Sequence, residues 1–148
     1  MTTSPPSPPS PEPQAVAERE LCGLVNGLAQ QIAVHVRERA VTLGLTSAQA
    51  TALRELTGPM TMRELAERMS CEPSNATFIV DKLEKQGLIE RRPHPTDRRA
   101  KQLVLTPEGN ALRERLLELL VQDSPLAGLT AEQQRTLQDL LERAIIRP

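Results

Sequence analysis

Helix starts and stops are written along almost the whole chain. Thr46-x-x-Gln49 and Thr61-x-x-Glu64 have the spacing of capping boxes, where a hydroxyl accepts the amide three residues on. Pro73 suits a first helical position, because its missing N–H has no helical partner to lose. Thr106-Pro107-Glu108 and Thr130-x-x-Gln133 mark two later starts. Gly44, Gly58-Pro59 and Gly87 are stops, and Pro125 and Gly128 interrupt the chain before the last start. These signals predict helices over 15–43, 47–56, 62–69 and 73–86, and two more after Thr106 and Thr130. One stretch breaks the pattern. Leu88 to Arg92 and Arg99 to Leu105 read as short strands around the polar loop Pro93 to Arg98, a β-hairpin.

The side chains agree with packed helices. Leu fills 22 positions, and Phe78 is the single aromatic residue. That suits a helical core better than a sandwich, and it excludes sheets that stack bases on rings. The terminal helices carry broad aliphatic stripes. Leu21, Leu24, Val25, Leu28, Ile32 and Val36 form the first. Leu112, Leu116, Leu119 and Leu120 form the second, and Leu137, Leu140, Leu141 and Ile145 the third. No other layer in the chain can cover them, which predicts a homodimer. Gly23 and Gly27 interrupt the first stripe, either as tolerated surface glycines or where another helix approaches closely.

Residues 1–14 hold six of the 13 prolines. They read as a disordered Pro-rich tail leaning toward polyproline II. The expected organisation is therefore tail 1–14, a helical dimerisation region over 15–45 and 106–148, and a separate unit over 46–105 that holds the short helices and the hairpin. Two cysteines, Cys22 and Cys71, are too few for a disulfide framework. No apolar run approaches the roughly 18 residues of a membrane span. The first residues lack the basic and apolar regions of a signal peptide. A cytoplasmic protein with no membrane contact is expected.

The order short helix, turn, longer helix, hairpin is that of a winged helix-turn-helix. The fold class is thus mainly α with a small β-hairpin wing, joined to a helical dimerisation layer. In the helix from Pro73, residues Ala76, Ile79, Val80 and Leu83 share about 100° of arc and must face the domain. The opposite face offers Ser74, Asn75, Thr77, Phe78, Asp81, Lys82 and Lys85. Small polar residues near the N-terminal end suit base edges and phosphates, and Asn can bond adenine twice. Segment 82–101 holds seven cations against three carboxylates, net +4 in a chain whose total is −1. That asymmetry is the footprint of a polyanion site.

Leu45-Thr46-Ser47-Ala48-Gln49, Glu64-Leu65-Ala66, Asp81 to Ile89, Asp97-Arg98-Arg99-Ala100 and Leu105-Thr106-Pro107-Glu108-Gly109 together resemble the MarR family of bacterial transcriptional regulators. The resemblance implies an obligate homodimer that sets a recognition helix in the major groove and a wing in the minor groove of a palindromic double-stranded operator. It also implies a repressor, released by a small-molecule effector held in a crevice between the dimer layer and the helix-turn-helix. The family's wing Asp-x-Arg falls on Asp97-Arg98-Arg99, so Arg99 is the matched arginine and Asp97 orients it. Arg98, at the loop tip, is placed to insert as well, and Lys101 adds charge behind it. Phe78 stands where the family often has Arg. It is either a half-buried ring or an apolar contact to a thymine methyl.

In the peroxide-sensing branch a reactive cysteine lies early in the first helix. Cys22 falls at a similar place, without the tyrosines that branch uses, which makes it a candidate redox sensor. The alternatives are thus a thiol-based repressor acting through Cys22, or a winged helix used for protein–protein assembly. Neither His35, expected at a surface or interface, nor His94 is paired with a nucleophile, and no metal-ligand spacing is visible. An enzyme is not expected, nor are a cofactor or a metal.

Overall fold

The cap residues named above do cap. In the computed structural model, which describes residues 2–8 and 12–145, Thr46 and Thr130 each accept the amide of the glutamine three residues on. The side chains of Gln49 and Gln133 accept the threonine amides in return, at 3.0 and 2.9 Å. Thr61 accepts from the Glu64 amide. The resulting elements are α1 (Pro13–Thr42), α2 (Ser47–Glu55), α3 (Met62–Met69), α4 (Pro73–Lys85), β1 (Ile89–Pro93), β2 (Lys101–Leu105), α5 (Pro107–Val121) and α6 (Ala131–Ala144). The strands pair antiparallel, with Ile89 opposite Leu105 and Pro93 opposite Lys101.

Boundaries shift by a residue or two from the sequence expectation at several element ends, and two of these shifts matter. Helix α1 opens at Pro13, inside the segment read as tail, because a proline is compatible with the first turn. Residues 2–8 carry no helix or strand and are exposed. The expectations for residues 1 and 9–11, and for 146–148, lie outside the described residues. Strand β2 opens at Lys101, so Arg99 belongs to the loop and not to the ladder.

Two cores position everything else. One joins Leu56, Met60, Leu65, Val80, Leu83, Ile89 and Leu103, all at most 2% exposed. It cements α2, α3, α4 and the hairpin. Met60 extends the sheet by exchanging two backbone hydrogen bonds with Leu103, at 3.2 and 2.7 Å. The second core joins Val36, Ala40, Leu45, Leu53 and Leu116, and so ties α1 and α5 to α2. Leu105 packs on both cores.

Polar side chains finish the helix ends, whose last carbonyls lack helical partners. Arg113 donates to the carbonyls of Leu53 and Arg54 at 2.8 and 3.0 Å, closing α2. Arg39 donates to Gln122 at 2.9 Å, closing α5. His35 corrects the expectation of a surface or interface residue. It is 8% exposed, and its Nε2 bonds the carbonyl of Leu120 at 2.8 Å, so it pins α1 to the end of α5.

The terminal helices behave differently. Helix α1 is 30 residues long, yet its buried residues are His35, Val36 and Ala40 alone. Helix α6 buries none. Leu21, Leu24, Val41, Val121, Leu140 and Ile145 are all more than half exposed in the single chain. Around Gly23 and Gly27 there is open space.

Candidate nucleic-acid interface

Helix α4 is fixed by its apolar face. Ala76, Val80 and Leu83 are buried there, and Ile79 packs at the edge. The outward face follows from the helical period. Ser74, Asn75, Thr77, Phe78 and Lys82 are all exposed, side by side over the first two and a half turns. The Thr77 hydroxyl donates back to the Pro73 carbonyl at 2.9 Å, which leaves its oxygen lone pairs outward. Phe78 is 62% exposed, so the half-buried ring is excluded. The Lys82 ammonium lies 4.4 Å from the ring centroid, a cation–π pair that holds both side chains on the outer face.

The wing loop is ordered by short-range hydrogen bonds. His94 Nδ1 accepts the backbone amides of Thr96 and Asp97 at 3.2 and 3.1 Å. A carboxylate oxygen of Asp97 accepts the amide of Arg99 at 3.0 Å. Asp97 therefore reaches Arg99 through the backbone, not through its guanidinium. The loop presents exposed Arg98 and Arg99, and Lys101 follows exposed at the start of β2.

One feature of the site escaped the sequence reading. Arg91, counted there among the cations offered to a polyanion, is already paired. Its Nη2 lies 2.5 Å from Asp81 and its Nη1 3.4 Å from Glu84. Strand alternation carries the missing signal. Ile89 and Arg91 share one face of β1, and Ile89 points into the core beneath α4. Arg92 pairs with Glu90 at 3.1 Å. The cations of the segment outside these pairs are Lys82, Lys85, Arg98, Arg99 and Lys101.

Of the two cysteines, Cys22 is exposed on α1, and Cys71 is partly exposed in the turn before α4. Cys71 lines an open groove of about 570 Å³ between α2 and α4, beside Met69, Phe78, Ile79 and Lys82. A smaller recess of about 190 Å³ lies between the turn after α2, strand β2 and α5, with Leu56, Pro59, Val104 and Arg113 in its wall. No helix among the described residues is long and apolar enough to cross a membrane.

A helix held by one apolar face, its polar face outward and a basic hairpin beside it, defines a winged helix-turn-helix. The comparisons give the family. The MarR family model matches residues 45–101. The transcriptional repressor MdtR of Bacillus subtilis is 37% identical over 95 residues, which are 63% of this chain and 61% of MdtR. The chain thus spans about three fifths of that relative's length. The multiple antibiotic resistance protein MarR of Salmonella typhimurium is 32% identical over 108 residues, 70% of this chain and 75% of MarR. Among solved structures, wild-type apo MarR from Escherichia coli superposes with a TM-score of 0.68 at 29% identity, covering 85% of this chain and 97% of that one. A mutant of the same protein complexed with operator DNA gives 0.68 at 29%, covering 86% and 94%. The protein belongs to the MarR family of transcriptional regulators.

Proposed function

We propose that this protein is a homodimeric, cytoplasmic repressor that binds a palindromic operator and is released by a small-molecule effector. The observation that carries the reading is the exposed face of α4 standing beside a wing whose Arg98, Arg99 and Lys101 have no carboxylate partner among the described residues. MdtR, the relative described as a repressor, supports the sign of regulation. In this reading the dimerisation region is 15–45 with 106–148, and 46–105 contacts DNA. Ser74, Asn75, Thr77, Phe78 and Lys82 enter the major groove. Arg98 and Arg99 enter the minor groove, with Asp97 and His94 shaping the loop that carries them.

An arginine in a narrow minor groove gains from the enhanced negative potential there. Arg99→Ala should therefore weaken operator binding by about 1–3 kcal/mol. Its log–log salt slope should become shallower by about one. Gel-shift titration of the folded variant at several salt concentrations measures both. Unchanged affinity removes Arg99 from the interface. The same titration separates this reading from a winged helix used for protein assembly, which has no salt-dependent affinity for DNA.

Phe78 gives a second prediction. Its exposed ring, steadied by Lys82, suits apolar contact with a thymine C5-methyl. Replacing thymine by uracil position by position through one half-site should weaken binding at one position or two neighbouring ones. The loss should vanish in Phe78→Ala. A flat uracil scan on the wild-type protein would exclude methyl readout.

For the effector, the α2–α4 groove has the volume range of small-molecule sites, whereas the recess beside Arg113 is below it. Its apolar wall of Met69, Phe78 and Ile79 and the ammonium of Lys82 suit a small apolar anion. An occupant would take Phe78 and Lys82 from the DNA, which makes release direct competition. The thiol alternative rests on the exposure of Cys22 alone.

A further inference from the structure

Arg91 joins the two elements that this reading places on DNA. Asp81 and Glu84 lie about one turn apart on α4, and Arg91 is the third residue of β1. The two contacts, 2.5 Å to Asp81 and 3.4 Å to Glu84, are the side-chain hydrogen bonds that run from the hairpin to α4 among the described residues. The three side chains are 31%, 49% and 40% exposed. Ion pairs so open to water add little to folding stability. Their effect must lie in geometry and charge.

The geometry is that of a brace. Backbone connects α4 to β1 through Gln86, Gly87 and Leu88 alone, with Gly87 at φ +73°. The core holds the hairpin at Ile89, at its root, and at Leu103, the β2 residue opposite Arg91. On β1, outward from Ile89, the Arg91 pairs are the side-chain hydrogen bonds that fix this strand against α4, level with the apolar anchor of Leu103 on β2. The charge argument is independent. Asp81 and Glu84 stand on α4 among Phe78, Lys82 and Lys85, where a bare carboxylate would repel phosphates. Arg91 neutralises them from behind.

We propose that Arg91 is a positioning residue. Through Asp81 and Glu84 it locks the wing at the angle at which α4 and the wing engage one duplex, and it masks two carboxylates, without touching a phosphate itself. The proposal rests on the DNA-binding reading above.

The test uses full-length protein and the duplex that the wild type selects from a randomised library, titrated over a range of salt. Arg91→Gln and Asp81→Asn should each weaken binding roughly tenfold, and the double variant should be no weaker than the worse single, because both remove one brace. The salt slope of Arg91→Gln should match the wild type, since no phosphate contact is lost. The sign for Asp81→Asn is decisive. Removing an acidic group near DNA without a brace should tighten binding. Asp81→Asn is also nearly isosteric at a half-exposed position, so it keeps the test valid where Arg91→Gln misfolds. Tighter or unchanged binding by Asp81→Asn, additive losses, or a slope shallower by about one in Arg91→Gln overturns the brace while leaving DNA binding intact. Wild-type protein that selects no sequence overturns the DNA-binding reading itself, and the brace with it.

Discussion

Gly109→Ala is expected to destabilise the fold by about 3 kcal/mol, although alanine is the better helix former. Gly109 lies in the first turn of α5, where exchanging Gly for Ala ordinarily helps a helix by up to about 1 kcal/mol. Here a Cβ would fall on the carbonyl of Leu88 and lie 3.2 Å from a methyl of Leu105. The obstacle is backbone, so no rotamer change relieves it. Thr106 makes the approach close. Its hydroxyl donates to the Gly87 carbonyl at 2.6 Å and accepts the Gly109 amide at 3.0 Å, while its own amide donates to Leu88. The start of α5 is thereby riveted to the turn between α4 and the hairpin. Urea unfolding followed by circular dichroism measures the loss. A variant as stable as the wild type would mean that α5 slides without penalty. Because Leu88 leads into β1, the same variant should also bind operator more weakly, by displacing the wing root.

That rivet marks a limit of what the residues alone convey. Leu105-Thr106-Pro107-Glu108-Gly109 is legible as a helix start, since a threonine before Pro-Glu is a cap by local chemistry. Why a glycine follows is not legible, because the carbonyl it must clear is 21 positions away along the chain. The caps at Thr46, Thr61 and Thr130 were readable for the opposite reason. Each is closed by a residue three positions on. The buried face of α4 was readable too, because period and apolar content are both local. His35 was misread because its partner, the Leu120 carbonyl, is 85 residues away and is a backbone group that no side-chain pattern announces.

The site divides along the same line. The exposed set Ser74, Asn75, Thr77, Phe78 and Lys82 is the complement of a readable apolar face. The exposure of Phe78 itself was not decided by the sequence, because hydrophobicity alone would turn the ring inward. It stays out because the buried arc of α4 is filled by Ala76, Val80 and Leu83 and because Lys82 covers one face of the ring. A count of charges finds the basic segment and its net +4 but not which of the cations stand free. Arg91 and Arg92 face carboxylates that lie on the same helix–hairpin unit.

Leu140→Glu is expected to convert the protein to a monomer and to lower operator affinity roughly 100-fold. The substitution touches nothing in the single chain's cores. Leu140 is 53% exposed on α6, a helix that buries no side chain. An aliphatic stripe in water on one helix, matched by Leu21 and Leu24 on another, has its natural cover in a second copy of the same chain. The open space around Gly23 and Gly27 is where a partner helix can approach. A glutamate in that interface is a desolvated charge without a cation, which opposes association strongly. In the proposed dimer, DNA binding falls with it because the two recognition helices lose their link. The second half-site is then met from bulk solution rather than at the high local concentration the first contact provides. Light scattering coupled to size exclusion reads the mass, and gel shift reads the affinity. Leu24→Glu on α1 is the companion variant, placed on the other stripe, and it should give the same pair of outcomes. Circular dichroism should retain the helical signal of the two buried cores in both. A dimeric Leu140→Glu protein with wild-type affinity would place the subunit contact elsewhere and leave the exposed stripes of α1 and α6 without a role.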